Sequence, residues 1–147
     1  MKVAFLKQGQ EGETRRHIFA LAHCLREKGV EVMELDISEG DLQERVNKEF
    51  LDFSPLFVVD LDGSCLIFAE REGQGMPIFD AFGFVHVSLF TEDPLINFQP
   101  LLDIKTSNNF LPIVMDLKYT DSLRFLGHGR STLYMTPFID PNSMVEA

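Results

Sequence analysis

Apolar residues in this chain concentrate in short runs, and between the runs they recur every three or four positions. The runs at 3–6, 30–37, 56–61, 84–90, 111–115 and 133–138 have the length of buried strands. After the first run, Gly9 and Gly12 open a polar turn. Ile18, Leu21, Ala22 and Leu25 then stand at i, i+3, i+4 and i+7, which predicts a helix with Thr14 as N-cap and Gly29 just past its end. After the second run, Leu42, Val46, Phe50 and Phe53 share a helix face capped by Ser38 or Asp41 and stopped by Pro55.

The segment 64–83 has no single period. Its opening, CLIFAE, reads as a helix start or as an extra strand folding back after Asp62-Gly63, while GQGMP interrupts the pattern and PIFDAFG forms a short helix. Asp93 and Pro94 supply an N-cap and a first helical residue, and Pro100 limits that helix to one or two turns. Thr120 or Asp121 begins a last helix, closed by Gly127. Strands alternating with helices predict a parallel sheet covered on both faces. The expected fold is an α/β, three-layer Rossmann-like sandwich whose mostly parallel sheet has about six strands. Residues 1–139 form one domain, and the tail 140–147 reads as the start of an interdomain linker.

Charge narrows the function. A net charge of −10 argues against a nucleic-acid backbone or an anionic membrane surface as partner. Cys24 and Cys65 make no metal or redox spacing, and no pair of the four histidines does either. The apolar start is too short for a signal peptide and no run reaches membrane-span length, so a cytoplasmic setting is expected. His86 reads as a satisfied sheet residue and His128, in Gly127-His128-Gly129, as an exposed turn residue.

Candidate chemistry collects where strands end, because open α/β sheets bind at the carboxyl ends of their strands. The first turn, with Gly9 and Gly12, is neither a dinucleotide fingerprint nor a phosphate loop, and Glu11 and Glu13 would repel an anion. Asp60 and Asp62 follow the third run, and Thr91, Glu92 and Asp93 follow the fourth. The acids of the first turn suit a hydroxyl-bearing or cationic ligand there. No metal site is expected.

Two families resemble this pattern. FVVDLDGS resembles the first motif of haloacid-dehalogenase phosphatases, which implies Asp60 as nucleophile, Asp62 as general acid and base, and magnesium; Thr91, Lys105, Asp116 and Asp121 would take the remaining roles. The broader resemblance spans about 140 residues. SPLFVVD, then DAFGFVHVSLFTEDP, IVMDLKYTDSLRFLG and TLYMTPFIDPNSM resemble in order the N-terminal domain of GT-B glycosyltransferases of the bacterial spore-maturation and motility-associated type. That resemblance implies an acceptor-side half-enzyme, inactive alone. Its nucleotide-sugar donor would sit on a missing C-terminal domain. It implies no cofactor on this chain. Gly9, Gly12, Asp60, Asp62 and Thr91 would line the acceptor site, with Glu92 and Asp93 as candidate catalytic residues. A non-enzymatic flavodoxin-like or receiver-like binding domain is the third reading.

Overall fold

The computed structural model describes residues 1–9, 13–104, 107–129 and 132–134. The strands are β1 (Lys2–Lys7), β2 (Glu31–Asp36), β3 (Phe57–Leu61), β4 (Phe68–Arg71), β5 (Gln74–Pro77), β6 (Val85–Phe90), β7 (Phe110–Val114) and β8 (Leu133–Tyr134). Six of them form one sheet in the order β2-β1-β3-β6-β7-β8, and every pair in it is parallel. The chain is a doubly wound parallel α/β domain, as the alternation of elements predicts. Strand order reverses at β1, which puts the topological switch point between β1 and β3.

Side chains alternate across the sheet with period two. Ala4, Leu6, Val58, Phe90, Phe110 and Val114 face one core cluster. Val3, Phe5, Val59, Leu61, Val87 and Leu89 face the other. Helix α1 (Glu13–Glu27) packs Ile18 and Ala22 into the second cluster and, among the described residues, is the helix on that face. The first face is crowded by a continuous helical segment made of α2 (Leu42–Arg45), a π-helical turn (Val46–Phe50) and α3 (Leu51–Phe53), then by α4 (Ile78–Phe82), α5 (Gln99–Asp103) and α6 (Tyr119–Phe125). Among the described residues no helix is long and apolar enough to cross a membrane.

Most local signals act as predicted. Gly29 (φ 81) closes α1: its N–H reaches the carbonyl of Arg26 and that of Val30 reaches Leu25, both pairs satisfying orphan helix carbonyls. Asp41 caps α2 by accepting the Glu44 N–H at 3.1 Å. Several details differ. Helix α1 already includes Thr14, so Thr14 is inside the helix where a cap was expected. Pro100 sits in the first turn of α5, where its missing N–H costs nothing, and so starts a helix where a stop was expected. α6 begins at Tyr119, ahead of Thr120 and Asp121, after an Asp116 turn that accepts the Lys118 N–H at 3.0 Å. Residues 68–77 form an antiparallel hairpin turned by Glu72 (φ 54) and Gly73 (φ 78), so GQGMP, expected to break the pattern, supplies its second strand. The sixth run is a strand at residues 133–134, and its remainder lies outside the described residues, as do Gly12, Lys105 and the tail 140–147.

Candidate functional site

The carboxyl ends of β1, β2, β3, β6 and β7 form one rim, because all five strands run parallel. Their loops are tied to one another by carboxylates. Asp36, ending β2, accepts the Gly9 N–H at 3.0 Å (Oδ1) and 3.2 Å (Oδ2), the Ser38 N–H at 3.0 Å and the Ser38 hydroxyl at 2.6 Å. This holds the turn after β1 against the turn after β2. Partial burial pushes the Asp36 carboxyl up, but the Ser38 and Gly9 donors and Lys7 outweigh it, so the group titrates below its ordinary value. Gly9 has φ 53, and a Cβ there would stand 3.0 Å from Ser38 Oγ.

Asp62 ties the next pair of loops. It sits with Gly63 in a left-handed turn (φ 57 and 65), closed by the Ser64 N–H on the Leu61 carbonyl. Its Oδ1 accepts the Thr91 N–H at 2.7 Å and the Glu92 N–H at 3.0 Å, and its Oδ2 accepts the Thr91 hydroxyl at 2.8 Å. Asp93 accepts the Leu95 N–H at 3.0 Å and caps the 3-10 turn Pro94–Asn97. Glu92 is different. Its side chain is exposed, and among the described residues no hydrogen bond or ion pair engages its carboxylate.

Asp60 lies one layer deeper. It is fully buried on the crowded face, where Oδ2 accepts the Cys65 N–H at 2.8 Å and Oδ1 accepts the Ser88 hydroxyl in a short bond. His86, on β6 and 1% exposed, brings Nε2 to 3.5 Å from Asp60 Oδ1, beyond good hydrogen-bonding distance, and neither of its ring nitrogens has a hydrogen-bond partner among the described residues. The satisfied histidine expected at this position is therefore unsatisfied, wedged between Phe79 (5.2 Å) and Phe110 (6.1 Å). His128, expected in solvent, is 4% exposed, with Nε2 2.6 Å from the Leu101 carbonyl; desolvation lowers its pKa and that carbonyl partly restores it. Burial, with the Asp60 charge beside it, pushes the Cys65 thiol up to about 12.

The rim brings together Gly9, Asp62, Thr91, Glu92 and Asp93, while Asp60 lies beneath them. A magnesium phosphatase would need the Asp60 carboxylate open to a phosphoryl group, and here both oxygens hold backbone and hydroxyl donors out of contact with solvent. Among the described residues no three His, Cys, Asp or Glu side chains gather in a metal-holding group. Asp36 is the rim residue that sequence reasoning missed. Its signal was the D-x-S spacing Asp36-Ile37-Ser38, an aspartate-centred turn at the end of a strand.

No protein-family model matches the chain. A protein described as uncharacterized from Aquifex aeolicus (strain VF5) is 40% identical over 147 residues, which is all of this chain and 36% of the relative. The chain thus spans about a third of the length of the relative it matches. Among solved structures, a short-chain flavodoxin associated with a bacterial microcompartment matches with a TM-score of 0.34 at 14% identity, covering 99% of this chain and 93% of that one.

Proposed function

We propose that this domain binds a neutral, hydroxyl-rich acceptor at the carboxyl rim of its sheet, as the acceptor-side half of a GT-B-like glycosyltransferase. The nucleotide-sugar donor belongs on a second domain of the same longer protein, and the domain is inactive alone. The observation that carries this reading is Glu92. Asp36, Asp62 and Asp93 each hold a loop or cap a turn, whereas Glu92 projects from the fixed Asp62–Thr91 junction with its carboxylate unengaged by any described residue. An anionic oxygen held at a strand end accepts from a sugar hydroxyl and is placed to take its proton. The same acidity works against a phosphate at the first turn, where the Asp36 carboxylate already holds the Gly9 amide. The greater length of the Aquifex aeolicus relative leaves room for a donor domain.

The test uses the longer protein with a nucleotide-sugar donor. Glu92→Gln is expected to lower turnover by at least about tenfold, below the usual span of general-base contributions, with donor binding and melting temperature unchanged. Wild-type turnover in Glu92→Gln and in Asp93→Asn would leave the rim a set of helix starts and the domain a binding module without chemistry.

A further inference from the structure

A groove of about 400 Å³ opens between the helical segment 42–53 and the β4–β5 hairpin. Leu42, Val46, Ile67, Phe68, Ile78 and Phe82 supply its apolar walls. Phe68 and Phe82 are 37% and 47% exposed, an arrangement that leaves aromatic surface in water. Among the described lining residues the polar groups are the amides of Gln43 and Asn47 and the carboxylate of Glu70. Volume and lining fall within the range of small-molecule sites, which run from about 300 to 1,000 Å³ with mostly apolar walls and a few polar groups.

Two features of the backbone shape the groove. The helix passes through a π-helical turn at Val46–Phe50, a rare conformation that recurs at functional sites. The opposite wall is the hairpin, inserted between the Asp62-Gly63 turn and α4. Both walls begin at the rim. α2 starts just after the Asp36–Ser38 turn, and Ile67 follows residues 62–65 by two positions.

We infer that this groove holds the apolar portion of the acceptor, so that the ligand is amphiphilic: an uncharged alkyl or aryl group in the groove, and hydroxyls reaching the rim. Among the described lining residues there is no cation to neutralise an anionic headgroup, and Glu70 would oppose one. The inference rests on the proposed acceptor function for the hydroxyl end; the apolar end stands on the groove alone.

Three probes separate the two ends: 1-octanol, glucose, and n-octyl β-D-glucoside below its micelle concentration, each titrated into the 147-residue chain and followed by methyl and amide NMR. Octanol and octyl glucoside are expected to shift the methyls of Leu42, Val46, Ile67 and Ile78. Octyl glucoside is expected to bind at least about tenfold tighter than glucose, the gain from burying roughly two methylene groups. It should also move the amides of Thr91 and Glu92. Asn47→Trp, a change at an exposed helix position, is expected to fill the mouth and abolish the methyl shifts with the fold intact by far-UV circular dichroism. No methyl shift with octanol, or shifts that survive Asn47→Trp, would overturn the groove assignment. Methyl shifts without any contribution from the glucose headgroup would keep the groove and overturn the rim as a sugar site.

Discussion

Asp62 satisfies three donors of the neighbouring loop, two of them backbone N–H groups of Thr91 and Glu92. Asp93 satisfies one. The two acids look equivalent in sequence, and their expected costs differ. Asp62→Ala leaves partly buried donors unpaired and should destabilise by about 1–3 kcal/mol. Asp93→Ala removes a cap and should cost about 1 kcal/mol. Urea unfolding of both variants checks the order, and a larger cost for Asp93→Ala would contradict it. Cys65, buried with its thiol pushed up to about 12, should resist a disulfide reagent at mildly alkaline pH in the native chain and react only after unfolding. His128 sets a pH dependence. Because desolvation lowers its folded-state pKa, the unfolded chain takes up the proton first. Its stability contribution is therefore complete above the ordinary histidine value of about 6.5 and falls as pH drops below it. His128→Gln should flatten the slope of stability between about pH 7 and pH 5; an unchanged slope would place the titration elsewhere. Sequence could mark Asp60, His86 and His128 as polar, but not their depth, which is set by the tertiary packing of elements distant along the chain.

At the scale of elements, the parallel strands and α1 were legible because each carries a run rich in apolar residues or a clean helical period. The hairpin at 68–77 was legible only as one of two readings of CLIFAE, the extra strand rather than the helix start, since its strands are four residues each and largely exposed, so no buried face imposes a period of two. The π-helical turn left no sequence signal either: Leu42, Val46, Phe50 and Phe53 keep a helical spacing that one wider turn barely disturbs. Gly83 shows how a single residue ends an element. It closes α4 at φ 76, its N–H on the Phe79 carbonyl, and among the described residues, its chain neighbours aside, no atom lies within 4 Å of the place a methyl group would take. Gly83→Ala therefore tests backbone strain without a clash, and thermal unfolding should show a loss of about 1–2 kcal/mol. A neutral result would mean that the 83–84 junction relaxes.

For the whole molecule, the fold places an acidic rim beside a hydrophobic groove, in a chain whose Aquifex aeolicus relative is nearly three times as long. The strand-end positions of Asp62, Thr91, Glu92 and Asp93 were legible, because acids after apolar runs mark the ends of strands; Asp36 was missed, and Asp60, read as lining the site, is buried beneath the rim. Their division into loop-holding Asp62, cap-forming Asp93 and unengaged Glu92 depends on contacts between loops 29 and 30 positions apart, which local sequence does not encode. The phosphatase alternative has its own test. Magnesium should produce no melting shift, whereas saturation at about 100 times Kd would stabilise by about 2.7 kcal/mol. A shift lost in Asp60→Asn would restore that reading. The most direct measurement of the central claim is amide chemical-shift mapping of the 147-residue chain with a panel of neutral saccharides and, separately, a nucleotide sugar. The expected result is movement of the amides at residues 62–64 and 91–93 with a neutral saccharide, reduced in Glu92→Gln, and none at Gly9 with the nucleotide sugar. Shifts centred on Gly9 with the nucleotide sugar, and a silent rim with every saccharide, would contradict it.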